Sequence, residues 1–314
     1  MSVLVISPGL LSSVQDDGRQ AWRHLGVGRS GALDAYSYSI ANRLVGNATG
    51  LAAIEITLTG PRLHFEHAAR VAICGAQIDA DVDGLAIPCW RRVDLPAGSV
   101  LQLGACRLGA RAYLAIAGGL DCEPLLGSRS TDLRAAFGGV AGRPLSAGDR
   151  LVVADGFRPD CSEPVIDARW VDPAPDLDLA RPAIVHLLPG HDAITDDHAL
   201  FATAWKVSAA SNRQGLRLQG PGLTIADPQE RISEPVMPGT LQLPADGQPI
   251  LLLADAQTHG GYPRIAHAIR ADLPRLAQLR PGDALRFVRC DAALAERKRI
   301  EQRQRLVRMS IALG

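Results

Sequence analysis

Residues 245–261 read Ala-Asp-Gly-Gln-Pro-Ile-Leu-Leu-Leu-Ala-Asp-Ala-Gln-Thr-His-Gly-Gly, an apolar run between two turn-forming segments. The run Ile250–Leu253 has the length of a buried β-strand, and the Ala-Asp-Gly sequence before it is a common turn signal. Similar runs recur at Val71–Cys74, Val100–Leu103, Ala112–Ile116, Leu151–Val153, Ile184–Leu188 and Leu285–Val288. Many short strands separated by turns favour a β-sandwich or a β-barrel.

Two helices are predicted among these strands. The first is indicated by apolar residues at helical spacing: Leu33, Tyr36, Ile40 and Leu44. Asp34 precedes this pattern as a candidate N-cap, and Gly46-Asn47 follows it as a stop signal. The second helix is predicted over Asp291–Leu306, a segment that is charged on most faces.

A chain of 314 residues is long enough for two domains. The segment 155–181 is rich in Pro and Asp and lacks periodicity, so we predict that it contains a linker. Two similar heptapeptides support two related halves, since Leu145–Leu151 reads LSAGDRL and Leu279–Leu285 reads LRPGDAL. The predicted domains are residues 1–158 and 182–290, followed by a helical tail over 291–314.

Charge and cysteine usage narrow the class of protein. Acidic and basic residues balance at 33 each, so no global field attracts nucleic acid or an anionic membrane. No apolar stretch has the length of a membrane span, and the first residues do not resemble a signal peptide. The six cysteines are scattered without a CxxC pair, which argues against a zinc site and a disulfide framework. A cytoplasmic protein with no nucleic-acid or membrane partner is expected.

Several short motifs that resemble dinucleotide-binding or metal-binding sites are disfavoured by their sequence context. Gly26-x-Gly28-x-x-Gly31 matches the dinucleotide fingerprint, but the polar segment Arg19–His24 before it is not a buried strand. These glycines leave two interpretations open, a structural loop and a loop whose amides meet an anion. His64 and His67 fall on opposite faces of a strand, so a metal site there is disfavoured. For the polar cluster over 191–198 we prefer a solvated helix start to a metal or acid/base site.

The most informative polar residues follow the strand quoted first. They are Asp255, Gln257, Thr258 and Tyr262. Side chains that follow a strand on a glycine-permissive loop are typical of sites displayed by β scaffolds. Asn212 and Arg213 add an amide and a forked cation suited to a carboxylate or carbonyl group. The alternative interpretation is that all of these residues only tie loops together.

The combined motifs resemble the family of the C-type subunit of 5-oxoprolinase, also described as KipA-like and related to biotin-dependent carboxyltransferases. The segments that carry the resemblance are QDDGR at 15–19, GVGRSGALD at 26–34, GSRSTDL at 127–133, SNRQGLRLQG at 211–220, SEPVMPGTLQ at 233–242 and DAQTHGGYP at 255–263. The likeness extends over about residues 3–290, while residues 190–201 depart from the family pattern.

The resemblance implies a mainly β fold of two cyclophilin-like β-barrel domains with a few short helices and a C-terminal helix. It implies ATP-dependent hydrolysis of 5-oxoproline to glutamate together with subunits A and B, of which the KipI-like B-type subunit is the most direct partner. ATP is then a co-substrate bound with the partner subunits. The residues expected to line one shared cleft are Asp255, Gln257 and Asn212 as catalytic groups, and Arg213, Thr258, Tyr262, Ser30 and Asp34 as contacts to a small amide substrate. Asp255 is the expected acid/base group, and Arg213 is the expected clamp for a carboxylate or phosphate.

Two other functions remain open. The first is a carboxyltransferase component that uses biotin carried elsewhere, because neither Lys206 nor Lys298 follows Met and this chain has no recognisable biotin-attachment site. The second is a non-enzymatic, KipA-like regulator that binds a KipI-like partner and relieves inhibition of a histidine kinase. We recognise no metal site in the sequence.

Overall fold

A computed structural model describes residues 2–179, 182–228 and 231–313. The chain divides into two compact units. The N unit comprises Met1–Arg19, Ser30–Pro175 and Leu306–Gly314, and the C unit comprises Gln20–Arg29 and Asp176–Arg305. This division differs from the predicted domain ranges, because residues 20–29 group with the C unit and residues 159–175 with the N unit. The last two residues of the predicted linker, 180 and 181, lie outside the described residues.

The N unit is built on a ten-stranded sheet in which every strand pair is antiparallel. Its strands are β1 (Ser2–Ser7), β2 (Leu11–Gln15), β3 (Ala53–Thr57), β4 (Arg62–Phe65), β5 (Ala69–Val82), β6 (Leu85–Ala86), β7 (Arg92–Leu95), β8 (Val100–Ile116), β9 (Arg150–Val152) and β10 (Val165–Ile166). Strand β10 lies within the predicted linker and pairs with β7, so that part of the segment is structured.

Strand β8 is the longest strand and organises the sheet. It pairs with β4, β5 and β3, and its 17 residues join two runs that the sequence indicated as separate strands. The separation was wrong because Gly104–Arg111 continues the strand, while register shifts between Gly75 and Ala80 of β5 absorb the irregular pairing. Leu101 and Leu103 alternate with more exposed neighbours, whereas the last seven residues of β8 are all buried.

The helix α1 (Ala35–Leu44) packs against β5 and β8 of the N unit, which explains why the end of β8 is buried on both faces. The predicted N-cap is confirmed, since Asp34 Oδ1 accepts a hydrogen bond from the backbone N–H of Ser37 at 2.9 Å. The predicted stop is also confirmed. Gly46 has a φ of +80°, and the backbone N–H of Asn47 donates to the carbonyl of Asn42 at 2.9 Å.

The C unit contains a closed seven-stranded barrel with the strand order β11-β18-β15-β16-β13-β12-β19. The strands of this unit are β11 (Ala183–Pro189), β12 (Ala204–Val207), β13 (Gly215–Gln219), β14 (Glu234–Pro235), β15 (Thr240–Gln242), β16 (Ile250–Leu252), β17 (His259–Gly260), β18 (Arg264–Ala268) and β19 (Ala284–Arg289). The barrel closes through a parallel pair, β11 with β19, and all its other pairs are antiparallel. Strands β14 and β17 form a separate two-stranded ribbon.

Side chains that alternate along the strands fill the barrel. The buried core residues include Val185, Leu187, Trp205, Val207, Leu216, Leu218, Leu241, Leu251, Leu285 and Phe287. The helices α2 (Asp197–Ala202) and α3 (Leu273–Ala277) accompany these strands, and the C-terminal helix α4 (Ala292–Leu313) begins in the C unit and has its residues from Leu306 onward assigned to the N unit. The prediction of a mainly β fold with few helices and a C-terminal helix is confirmed. Across residues 2–179, 182–228 and 231–313, no helix combines the length and apolar character that a membrane span requires.

Candidate functional site

The central feature of the C unit is a buried ion pair between Arg213 and Asp255. Nε of Arg213 lies 2.7 Å from Oδ2 of Asp255, and Nη2 lies 3.1 Å from Oδ1. Only 6% of the arginine side chain and 7% of the aspartate side chain are exposed to solvent. Such two-point pairing fixes the plane of the carboxylate relative to the guanidinium.

Strand register explains why these two residues meet. Arg213 precedes β13 and Asp255 follows β16, and these strands pair antiparallel with Gly215 opposite Leu252. The start of one strand therefore lies beside the end of the other. A backbone hydrogen bond from Asp255 N–H to the carbonyl of Arg213, 3.1 Å long, closes the connection.

Asn212 shapes the turn that presents Arg213. Its side chain is exposed, and Oδ1 accepts a hydrogen bond from the backbone N–H of Gln214 at 2.8 Å. Its own N–H donates to the carbonyl of Gly215 at 3.1 Å. This is the local side chain–backbone bonding that Asn commonly makes in turns, and it leaves the amide nitrogen of the side chain facing away from the turn bond.

The loop after Asp255 is fixed by a residue that sequence reasoning left out of the site, Gln242. This side chain is 1% exposed, and its Oε1 lies 3.5 Å from Nε2 of Gln257 while its Nε2 lies 3.5 Å from the carbonyl of Tyr262. A Cβ atom at Gly260 would lie 2.7 Å from Nε2 of Gln242, so a larger residue there would displace the end of the Gln242 side chain. Gln242 is the last residue of the segment SEPVMPGTLQ, and its place in that family motif is the sequence signal that could have indicated a role in the site.

Thr258 and Tyr262 occupy different environments on this loop. Thr258 is 8% exposed, and its carbonyl accepts a hydrogen bond from the N–H of Val236 at 2.9 Å. Its hydroxyl lies 3.0 Å from Nδ1 of His259. Tyr262 is 51% exposed, so its ring and hydroxyl are available to a ligand.

Arg23, from the C-unit segment 20–29, also reaches this loop. Its guanidinium donates to the carbonyl of Val236 and lies 3.5 Å from the carbonyl of Gln257. Burial lowers the pKa of Arg23. No sequence pattern singled out this residue, because its role depends on a tertiary contact.

The two predicted site residues of the N unit are both buried. Asp34 is fully enclosed, and its carboxylate accepts from the N–H and the hydroxyl of Ser37 at 2.9 and 2.6 Å. The Asp34 N–H donates to Tyr113 Oη, which in turn donates to Glu55, each at 2.8 Å. Asp34 therefore holds the start of α1, and its contact with substrate stays a prediction.

Ser30 combines backbone strain with an unsatisfied hydroxyl. Its φ is +53°, a left-handed conformation that is uncommon for a residue other than glycine, and its side chain is 1% exposed. In the part of the chain that the structure describes, Ser30 Oγ has no hydrogen-bond partner. Strained residues and unpaired buried hydroxyls are concentrated at functional positions. That Ser30 shares a cleft with the C-unit residues stays a prediction.

Two of the recognised motifs join to hold the Ser30 turn. Asp16 accepts hydrogen bonds from the hydroxyls of Ser128 and Ser130 at 2.5 and 2.6 Å, and from two backbone N–H groups. Gln15 then accepts from the N–H of Gly31 at 3.1 Å and donates to the carbonyl of Thr131 at 3.2 Å. The segments QDDGR and GSRSTDL thus act together as a support, which their separate positions in the sequence did not reveal.

One of the two polar clusters that sequence analysis weighed as metal candidates contains a helix cap. Asp196 caps α2 by accepting from the N–H groups of His198 and Ala199, as expected for a helix start. His64 lies in β4 and His67 lies beyond its end. Within the described ranges, no group of three or more His, Cys, Asp or Glu residues is arranged to hold a metal ion.

Comparison with known proteins gives a consistent result. A family model described as carboxyltransferase domain, subdomain A and B, matches residues 25–289. The chain is 39% identical to the C-type subunit of 5-oxoprolinase from Escherichia coli (strain K12), over 96% of this chain and 95% of that protein. It is 34% identical to the corresponding 5-oxoprolinase component of Haemophilus influenzae, over 88% and 87% of the two chains. The crystal structure of the K. lactis urea amidolyase superposes with a TM-score of 0.89 at 30% identity, covering 97% of this chain but 20% of that one.

Proposed function

The chain belongs to the family of the carboxyltransferase domain, subdomain A and B, and we propose that it is the C-type subunit of an ATP-dependent 5-oxoprolinase. The observation that carries the proposal is the near-complete coverage of both chains in the match to the E. coli protein. The match extends over 96% of this chain and 95% of that protein at 39% identity. In this function the chain acts with subunits A and B in the cytoplasm, and ATP is bound with those partners.

The reaction must open an unstrained lactam amide, which resists direct attack by water. Transfer of the γ-phosphoryl group of ATP to the amide oxygen releases ADP and makes the ring carbon electrophilic. Water adds to that carbon and gives its proton to a base. The ring C–N bond then breaks, the nitrogen takes a proton, and hydrolysis of the remaining acyl phosphate yields glutamate and phosphate. The chain therefore needs one base and several groups that hold a carboxylate-bearing substrate.

Asp255 is the proposed base. Arg213 orients its carboxylate through hydrogen bonds of 2.7 and 3.1 Å, so the direction in which the carboxylate can take a proton is set before the substrate binds. The pairing also changes the expected role of Arg213. Its guanidinium is proposed to orient the Asp255 carboxylate and, while it stays paired with Asp255, also to bind the carboxylate of the substrate.

The remaining site residues are proposed to contact the substrate. Asn212 and Tyr262 are exposed and can donate to the ring carbonyl and the carboxylate. Gln257, whose Nε2 lies 3.5 Å from Oε1 of Gln242, is proposed as a catalytic group, and Thr258 as a further substrate contact. For the N unit, substrate contact by Ser30 and Asp34 stays a prediction: Ser30 Oγ has no hydrogen-bond partner among the described residues, and Asp34 accepts from the Ser37 N–H at the start of α1.

A second function is favoured by one observation. The crystal structure of the K. lactis urea amidolyase matches 97% of this chain with a TM-score of 0.89, while this chain covers 20% of that protein. On this alternative the chain is a carboxyltransferase component that receives a carboxyl group from biotin carried by another protein. The base and the carboxylate-binding groups would then serve a urea-like amide.

ATP turnover distinguishes the two functions. The chain is mixed with its A and B partner subunits, and phosphate release is measured with 5-oxoproline, with urea and with buffer alone. The proposal predicts release that requires 5-oxoproline and all three subunits. Release that depends on urea, in a parallel mixture that contains a biotinylated carrier protein, would instead support the alternative.

The site is tested in the same assay with Asp255→Asn and Arg213→Lys, with folding checked by circular dichroism. Loss of the base is expected to lower kcat by about 10²–10⁴-fold. Tyr262→Phe removes only an exposed hydroxyl and is expected to raise KM for 5-oxoproline while kcat changes less. Folded Asp255→Asn protein with the wild-type kcat would remove Asp255 from the mechanism.

A further inference from the structure

A cavity of about 390 Å³ opens at one end of the barrel in the C unit, and none of the proposed site residues lines it. It lies where β11 ends, β18 begins and β19 ends, and it is closed by the loop 190–194 and by α2. Its apolar walls include Leu187, Ile194, Leu200, Phe201, Ile265 and Cys290. The volume is at the lower end of the range of small-molecule sites, about 300–1,000 Å³, which suits an occupant of the size of one amino acid.

The wall formed by the loop 190–194 is fixed in place. A Cβ atom at Gly190 would lie 2.1 Å from the carbonyl oxygen of Arg264, so only glycine allows the loop to approach β18 this closely. Asp192 then anchors the loop, because its carboxylate accepts from the Arg264 N–H at 2.6 Å and pairs with Arg231 at 2.5 Å. The cavity is therefore pre-formed, as ligand sites usually are.

The rim carries two opposite charges side by side. Arg289 Nη2 lies 2.7 Å from Asp197 Oδ2, and the two side chains are 64% and 56% exposed. The guanidinium of Arg289 also stacks on the ring of Phe201 at 4.3 Å. An exposed ion pair of this kind contributes little to stability, so both charges are available to a ligand.

The arrangement selects the charge of the ligand. A ligand with only a carboxylate would be attracted by Arg289 but repelled by Asp197. A ligand with only an ammonium group would be attracted by Asp197 but repelled by Arg289. A molecule with a carboxylate and an ammonium on one carbon satisfies both charges at the rim. Its side chain would then enter the apolar interior, where burial of hydrocarbon supplies further binding free energy.

We propose that this cavity binds a free apolar α-amino acid, with its carboxylate on Arg289, its ammonium on Asp197 and its side chain against Leu200 and Ile265. The cavity lining does not include Arg213 or Asp255. The proposed binding of an amino acid therefore does not depend on the proposed oxoprolinase activity.

The test is isothermal titration of the isolated chain with L-leucine and with two analogues that each lack one charge, 4-methylpentanoate and 3-methylbutylamine. We expect saturable binding of L-leucine at one site, and affinities lower by about tenfold or more for each analogue. No saturable heat with L-leucine up to about 10 mM, or equal binding of either analogue, would overturn the proposal.

Variants with matched controls place the ligand. Arg289→Gln is expected to weaken L-leucine binding by about tenfold or more, whereas Arg286→Gln, exposed on the same strand and absent from the lining, leaves it unchanged. Ala193→Trp fills the cavity from its exposed loop and is expected to abolish binding, while Ala209→Trp on an exposed turn has no effect. Unchanged binding by Arg289→Gln or by Ala193→Trp would show that the amino acid binds elsewhere.

Discussion

Removal of either partner from the Arg213–Asp255 pair should destabilise the C unit strongly. Both side chains are less than one tenth exposed, and two hydrogen bonds of 2.7 and 3.1 Å join them. Asp255→Ala leaves a buried guanidinium without its carboxylate, and losses of about 3–5 kcal/mol are typical of such a change. The double variant Arg213→Met/Asp255→Leu leaves no buried charge, so it should recover much of that loss.

The assay is urea unfolding followed by intrinsic tryptophan fluorescence, to which Trp205, fully buried in the barrel, contributes. Arg299→Met is the matched control, because the pair of Arg299 with Glu296 has the same two-point geometry at 2.6 and 2.7 Å but is 40% and 53% exposed. That variant should unfold almost as the wild type does. If Asp255→Ala is no more destabilising than the control, burial does not decide the strength of the pair and the reasoning fails.

Three further changes probe the N unit. Gly31→Ala places a Cβ 2.9 Å from the backbone nitrogen of Gly18, whereas a Cβ at Gly46, which has a similar φ, meets open space. In thermal unfolding, the free energy of unfolding should therefore fall by at least about 1 kcal/mol more for Gly31→Ala than for Gly46→Ala. Asp16→Ala leaves several buried donors unpaired and should cost about 3 kcal/mol or more in urea unfolding; a loss near that of Gly46→Ala would contradict its supporting role. The backbone N–H of Arg169, aided by two arginine side chains, lowers the pKa of Asp167 to about 2. This carboxylate therefore stabilises the fold above its unfolded pKa of about 3.8, and its contribution should disappear as the pH falls from there to about 2. Asp167→Asn should flatten that part of the stability profile, and a profile identical to that of the wild type would count against the assignment.

Local signals predicted α1 and the existence of α4, although α4 extends to Leu313 and not to Leu306 as predicted, and they did not indicate α3. The cap of α1 depends on residues within a few positions of one another, Asp34, Ser37 and Gly46, so the sequence contains all the necessary information. The heptapeptides LSAGDRL and LRPGDAL likewise form closed turns, with Asp149 donating to Ser146 and Asp283 donating to Arg280 through their backbone N–H groups.

Long-range pairing could not be predicted in the same way. The continuity of β8 depends on the bulged partner β5, which no local pattern of β8 encodes. Motif resemblance selected Arg213 and Asp255, but their mutual pairing follows from the register of β13 and β16. The support given by Asp16 joins segments that are 114 residues apart in the case of Ser130. The cavity beside α2 arises where the sequence departs from the family motifs, so resemblance offered no signal for it.

The central claim is tested most directly by measuring glutamate and phosphate together in a mixture of this chain with its A and B partner subunits, ATP and 5-oxoproline. The proposed function predicts equal amounts of the two products, and neither product when this chain is omitted. Phosphate released without glutamate, or undiminished glutamate formation in the absence of this chain, would contradict it.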